Sequence, residues 1–527
     1  MNETSPRRRS AQESDGNLPV VAAIDIGSNA IRMMIAQVVA QGQLDVLERV
    51  HRPVRMGRDT FRTGRIGARS MRAAVEILRD YQQMMNVYGV QRVRAVATSA
   101  LREASNADNV LDRIFLACRF NVEVISIAEE SRLTVDAVLH SIGEIEGIAT
   151  GKTLIVDVGG GSTLLTVLED GQIANSFGLR LGSVRLNEIL AGERASPENA
   201  EGILRYQIRS AVESAKRALP IEECDSFVAV GGDVRFAARH VGKTKSAKAP
   251  VVAHSDFRKL LQKLSGMTPE KISSRFGLPM EEAETLFPAL LAYDIMLTEV
   301  AADEMIVSDV SMRDGLLLEL AREVTGEDDE SFREGVCHAA RALAERYRAD
   351  MNHAEMVAQL AVKLFDEMEP DHALGSRYRL LLWVAAILHE IGGFVSLMAH
   401  HKHSYYLISN SEIFGLTRQE MELIAHVARY HRRSAPKNSH SEYVSLPREN
   451  RVIVNKLAAI LRVADALARG TIKRPENVRF VRQEDELFIE VDGETDLVLE
   501  RRAMALKGDM FEDVYGMKVR LEGGVSL

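Results

Sequence analysis

The chain contains the same short element twice, 132 residues apart: VVAAIDIGSNAIRMMIA around Asp25 and TLIVDVGGGSTLLTVLE around Asp157. Each copy is an apolar run rich in β-branched residues, an Asp-x-Gly, a small-residue turn and a second apolar run, which is the pattern of a hairpin. Glycine in such a turn lets a ligand approach the backbone. Ser28, Asn29, Ser162 and Thr163 add hydroxyl or amide donors, and successive N–H groups can form an anion-binding nest. Asp25 and Asp157 would repel a bare phosphate and suit one that carries a divalent cation. A single turn of this kind is most often a plain tight hairpin. Two of them, with Asp-x-Gly at the same place in each, predict two facing lobes with a phosphate site between them.

At 527 residues the chain exceeds the roughly 250–300 at which one hydrophobic core stops growing, so three or four domains are expected. A net charge of −9 argues against general binding to DNA, and a polyanionic ligand would need a local basic groove. Cys118, Cys224 and Cys337 have neither disulfide-framework nor zinc spacing and read as reduced thiols of a cytoplasmic protein. The longest apolar runs, such as 380–388, fall well short of the roughly 20 residues of a membrane span. Residues 1–17 are polar, contain Arg7, Arg8 and Arg9, and are expected to be a disordered tail.

Along the chain, 20–51 reads as three antiparallel strands with turns at Gly27-Ser28-Asn29 and Gln41-Gly42. A helix is expected over 70–88, strands over 93–98 and 122–127, and a helix from about Glu129. The opening pattern repeats from Thr153, and a strand over 226–230 runs into Gly231-Gly232. From about Ser331 to Gly470 the pattern is nearly continuous helix with many histidines, and the last stretch returns to strand-like alternation in RFVRQEDELFIEV.

Six motifs then occur in order: the Asp-x-Gly-Ser-Asn start, ATSALREASN (97–106), ISIAEESRL (125–133), VDVGGGST (156–163), LGSVRL (181–186) and RDG (313–315). Together they resemble the exopolyphosphatase / guanosine pentaphosphate phosphatase family of the actin-like, sugar-kinase-like superfamily, over roughly residues 18–320 and onward through the helices. The resemblance implies an α/β fold of two actin-like (ribonuclease H-like) lobes, 18–150 and 151–328. An all-α HD-like domain (329–470) and a small α+β domain (471–527) follow. It also implies Mg²⁺-dependent hydrolysis of a terminal phosphoanhydride, of inorganic polyphosphate or of guanosine pentaphosphate. We expect an exopolyphosphatase first, a guanosine pentaphosphate 5′-phosphatase second, and, from another class, a kinase-like or weakly catalytic phosphate- or nucleotide-binding regulator. A homodimer is one admissible assembly.

By the same resemblance Glu130 activates the attacking water and Asp157 holds Mg²⁺, while Asp25, Gly27, Ser28, Asn29, Gly159, Gly160, Gly161, Ser162 and Thr163 surround the phosphates. From the residues alone, Glu129 and Glu130 could equally be first-turn carboxylates that complement the helix dipole. Arg102 could bind the terminal phosphate or pair with Glu103 or Asp108. Gly231 and Gly232 could admit a phosphate chain or nucleotide, or simply make a strand-to-helix turn.

Three departures from the family pattern stand out. Leu164 stands where a Glu is usual, Gly232-Asp233 replaces a small residue and Thr, and Ile127 replaces a glycine. In the helical region His353, His389-Glu390 and Asp465 resemble the ligand set of HD-type metal phosphohydrolases, with His-Glu in place of His-Asp, and imply a second divalent metal there. His400, His401, His403, His426 and His431 could widen that site or be structural. HHKH (400–403) and Arg429 to Arg433 with Lys437 could hold distal phosphates or be a solvated basic face.

Overall fold

Apolar residues alternate so regularly in the first hairpin that its two faces feed different cores. In β1 (Val20–Ile26), Val20, Ala22, Ile24 and Ile26 bury on one face, and Val21 and Ala23 on the other. β2 (Ala30–Val38), β3 (Leu44–Pro53), β4 (Arg92–Ala97) and β5 (Val122–Val124) complete a sheet of order β3-β2-β1-β4-β5. β1 pairs antiparallel with β2 and parallel with β4. The computed structural model describes residues 18–39, 43–193, 197–243, 249–325, 330–413, 415–432, 434–470, 472, 474–483, 485–493 and 496–524. The expected tail 1–17, the turn at Gln41-Gly42 and Arg433 lie outside the described residues.

The second lobe repeats the plan with β6 (Lys152–Val158), β7 (Thr163–Glu169), β8 (Gln172–Leu179), β9 (Ser226–Val230), β10 (Val251–Ala253) and β11 (Glu304–Ser308). Its order is β10-β11-β9-β6-β7-β8, so β8-β7-β6-β9-β11 matches the first sheet strand for strand, and β10 is an antiparallel addition at the edge. Tyr293, fully buried on the helix Met280–Thr298, accepts a hydrogen bond from Val158 N at 3.1 Å and donates to Val230 O, tying the ends of β6 and β9 together.

The lobe boundaries need one correction. The sequence places everything from 151 to 328 in lobe II, but the helix Met312–Thr325 buries Met312, Leu316, Leu317 and Leu320 against Val21, Ala23, Met34 and Val96 of lobe I. The first sheet has a second apolar face, and this late helix covers it. Gly315 lets it approach the helix Ile127–Ile142, because a Cβ there would overlap the backbone of Leu133.

The described residues form two compact units: those up to 171 with 175–328, and those after 328 with 172–174. In the second unit the helices Met351–Glu367, Ser376–Leu388, Arg418–Arg429 and Arg448–Leu467 enclose one core. β12 (Val478–Arg482), β13 (Glu486–Asp492) and β14 (Lys518–Gly524) form a three-stranded sheet whose Val478, Leu487 and Ile489 join that same core. The residues after 470 thus share a core with the helices and are not a separately packed domain. Among the described residues no helix is long and apolar enough to cross a membrane.

Candidate active site

Each Asp-x-Gly turn closes in the same way: Gly27 N donates to Ala30 O at 3.0 Å, and Gly159 N donates to Ser162 O at 2.9 Å. The two turns face each other across one cleft of about 380 Å³. A Cβ on Gly160 would lie 3.2 Å from Ser28 Cβ, and one on Gly161 would overlap Phe61 and Ser99 of lobe I. The sequence-based set converges here: Asp25, Gly27, Ser28, Asn29, Glu130, Asp157, Gly159, Gly160, Ser162, Gly231 and Gly232 all line the cleft.

Three members of that set do other work. Gly161 is packed against lobe I. Thr163 is wholly buried and donates to Leu181 O at 2.7 Å, which holds the loop to the next turn. Arg102 is not among the residues lining the cleft. Its Nη2 donates to Glu130 Oε2 at 3.1 Å and its Nη1 to Ile125 O at 2.7 Å, so it pairs with neither Glu103 nor Asp108. Glu103 instead receives Arg185 at 2.6 Å and Arg180 at 2.5 Å from the other lobe.

The adjacent glutamates diverge. Ser126 caps the helix Ile127–Ile142 by accepting from Glu129 N at 3.1 Å. Glu129 is buried, and although burial opposes its charge, hydrogen bonds from Arg132 and the charge of Arg94 hold its pKa below the usual carboxylate range. Glu130 turns into the cleft, where burial raises its pKa against the pull of Arg102. Asp157 opens onto the cleft but is ringed by protein. Burial, with the charge of Glu130 added, pushes its carboxyl up to about 7.

Asp233, one of the departures from the family pattern, also lines the cleft and is pushed up to about 7 by burial and by Glu282. Ile127, another, packs against Gly178, where a Cβ would overlap it. Leu164, the third, is 4% exposed and sits directly opposite Asp157 across the β6–β7 pair. It contributes no oxygen, so the family's extra carboxylate is absent from the flank of Asp157.

The sequence reading missed the cations. Arg32, Arg235, Arg239 and Arg313 line the cleft, and Arg32 and Arg313 approach Asp25 Oδ2 at 3.5 and 3.4 Å. Arg32 had a signal, because a cross-strand partner of Asp25 in a hairpin falls at a fixed spacing; Arg313 lay inside the RDG motif. The LGSVRL motif also gains a physical role. Gly182 approaches the Gly160 backbone, where a Cβ would overlap it, so that Ser183 N and Val184 N donate to Gly159 O and Gly160 O at 3.0 and 2.9 Å.

The donor set fits a hard cation of the Mg²⁺ type. It is built from oxygen, from Asp157, Asp25, Glu130 and the Ser28 and Ser162 hydroxyls, and burial with the charge of Glu130 disfavours ionised Asp157, a penalty that a bound cation would relieve. At the far side of the second turn Gly231 has φ 130°, which a β-carbon would strain, and opens the helix Gly232–Val241. Beyond it, Phe236, Leu278 and Leu286 line the same cleft beside Asp233 and Glu282.

In the second unit, ligand atoms of His353, His389, Glu390 and Asp465 come together within 4.8 Å of one another, and Glu390, His400 and His431 form a further such group. His426 lies apart among Tyr405, Tyr430 and Tyr443. Of the basic clusters, His400 and His431 belong to this histidine group, and Arg429 pairs with Glu442 at 3.4 Å over the Tyr405 ring.

The family model for Ppx/GppA phosphatases matches residues 34–324, and the model for domain III of Ppx/GppA phosphatases matches 337–506. The chain is similar to the guanosine-5′-triphosphate,3′-diphosphate pyrophosphatases of Vibrio parahaemolyticus, 26% identical over 90% of this chain and 93% of that one, and of Aeromonas hydrophila, 28% identical over 87% and 90%. The solved exopolyphosphatase from Cytophaga hutchinsonii, 21% identical over 58% of this chain and 98% of its own with a TM-score of 0.52, shares the fold.

Proposed function

From the premise that this chain belongs to the Ppx/GppA phosphatase family, whose members are phosphoanhydride hydrolases, we propose that it removes the terminal 5′ phosphate of guanosine pentaphosphate in the cleft between its two lobes. The observation that carries this reading is the wall beyond Gly231 and Gly232. Phe236, Leu278 and Leu286 offer apolar surface to a purine, and Asp233 and Glu282 offer acceptors that suit guanine N–H groups and would repel a purely anionic chain. The names of the relatives above lean the same way. Exopolyphosphatase activity is the second reading, favoured by Arg32, Arg235, Arg239 and Arg313 in the same cleft.

In either reading the chemistry is one displacement. Glu130 takes a proton from water, whose oxygen attacks the terminal phosphorus. The bridging P–O bond breaks, its electron pair leaves with the shortened substrate, and orthophosphate is released. The raised pKa of Glu130 makes it a better base than an exposed carboxylate, and Arg102 fixes the direction in which it accepts. The amides and hydroxyls of the turns at 27–29 and 159–162 bind phosphate oxygens. Asp157 would hold Mg²⁺, largely through water, and the ion would supply neutralising charge to the phosphate oxygens.

The test is orthophosphate release with Mg²⁺ on guanosine pentaphosphate and on long polyphosphate, side by side. A higher kcat/KM on the nucleotide is expected. The reverse order would put the exopolyphosphatase reading first, and no release from either substrate would put the regulator reading first.

A further inference from the structure

The second unit carries chemistry that the phosphatase cleft does not use. His389, His431 and His400 each point Nδ1 at the carbonyl three residues earlier, Ala386 O at 2.6 Å, Ala428 O at 2.5 Å and Leu397 O at 3.4 Å. A carbonyl only accepts, so Nδ1 carries the proton and Nε2 presents a lone pair. Nevertheless, His400 Nε2 and His431 Nε2 stand 3.1 Å apart. Two lone pairs at that separation repel unless an electrophile sits between them.

His389 is fully buried, and its Nε2 has no hydrogen-bond partner; it faces Asp465 Oδ1 at 3.9 Å, while His353 Nε2 faces the same oxygen at 3.4 Å. Such spacings fit one coordination shell, since ligands bonded at about 2.0–2.2 Å sit roughly 3 to 4.4 Å from one another, the longest when they are opposite. Glu390 reaches both groups: Oε2 is 4.0 Å from His353 Nε2 and Oε1 is 4.0 Å from His400 Nε2.

We propose that these six side chains form a two-cation centre. His353, His389 and Asp465 hold one divalent transition-metal ion, His400 and His431 hold a second, and Glu390 bridges them. Imidazole nitrogens with a few carboxylates select zinc-, manganese- or iron-type ions over Mg²⁺ and Ca²⁺. The neighbours fit that role. Lys507 pairs with Asp465 Oδ2 and leaves Oδ1 toward the histidines. Arg469, its side chain 41% exposed, spans Asp465 Oδ1 at 3.1 Å and Glu390 Oε1 at 2.8 Å. Its two ion pairs and a bound metal compete for the same oxygens, so Arg469 is the group that metal displaces.

The full-length protein, stripped with a chelator, is titrated with Mn²⁺ and read by elemental analysis, calorimetry and low-temperature electron paramagnetic resonance. With Mg²⁺ in excess to occupy the cleft, two equivalents of Mn²⁺ per chain and a spin-coupled spectrum are expected. His400→Ala, a substitution at the start of a surface helix, should leave one uncoupled equivalent with an unchanged circular dichroism spectrum. Arg469→Gln should bind Mn²⁺ more tightly than the parent, an outcome that loss of a merely structural ion pair would not give. Asp157→Asn should still take up two equivalents, which separates this centre from the cleft. Uptake below two equivalents by the parent, equal uptake by the parent and His400→Ala, or weaker binding by a folded Arg469→Gln would overturn the proposal.

Discussion

Asp25 and Asp157 stand at the same point of the same turn, yet their surroundings are opposite. The residue directly across the hairpin from Asp25 is Arg32, whose Nη1 lies 3.5 Å away, and Arg313 adds a second cation at 3.4 Å. The residue across from Asp157 is Leu164, and after burial the largest influence on it is the charge of another carboxylate, Glu130, ahead of the opposing Arg235 and Arg32. Repetition of the hairpin therefore supplies two matching backbone cradles, and one cross-strand position sets the charge of each. Lobe I presents to the cleft an aspartate that is already paired. Lobe II keeps an aspartate that only a proton or a cation relieves.

Four measurements can break or sharpen this contrast. The largest effect is expected at Glu130, whose charge raises Asp157 and which is proposed to accept the water's proton: Glu130→Gln should keep the fold and lower turnover by roughly 10² to 10⁴. Unchanged orthophosphate release would remove Glu130 from the reaction. Next, Leu164→Arg copies the lobe I arrangement onto lobe II. It should lower turnover at fixed Mg²⁺ by roughly 10² if an uncompensated Asp157 is what matters, with circular dichroism to show that the lobe is intact. Leu164→Glu moves the other way and should lower the Mg²⁺ concentration needed for half-maximal rate.

The third measurement is pH. With Asp157 at about 7, protons compete with the cation below neutrality, and the Mg²⁺ requirement should rise by up to about tenfold per unit of pH below 7 and level off above it. A requirement that is flat from pH 6 to 8 would contradict that. The smallest effect is on stability. In the folded protein Asp157 binds a proton up to about pH 7, and in the unfolded chain only to about 4, so without divalent cation it makes stability fall as pH rises across that window. Asp157→Asn should match the parent's Tm near pH 4 and exceed it near pH 8 by roughly 2–4 °C.

The fold was legible wherever it is written locally. The two hairpins, their Asp-x-Gly turns and the strand over 226–230 follow from alternation and turn chemistry alone, and Asp157 comes with them; Glu130 was singled out by the family resemblance, and both line the cleft. What the sequence hid depends on residues far apart in the chain. Arg102 is spent on Glu130, a pairing that exists only once β4 and the helix Ile127–Ile142 are side by side. The helix Met312–Thr325 returns to lobe I because that sheet has two apolar faces, and local periodicity does not say which lobe a helix covers. For His400 and His431 the sequence left two readings, widening of the HD-like site or membership of a basic face beside Lys402 and Arg432, and only the fold shows that their rings meet.

The glycines of the second turn carry a mechanical consequence. Gly160 and Gly161 are where lobe II rests on Ser28, Ser99 and Phe61 of lobe I, with no side chain to keep them apart. The width of the cleft at the two turns is therefore gauged by backbone lying directly against side chain, with no slack between them. A methyl group on either glycine would act as a wedge there, so Gly160→Ala or Gly161→Ala should push the 159–162 turn away from Ser28 and Ser99 and misplace the amides and hydroxyls of both turns.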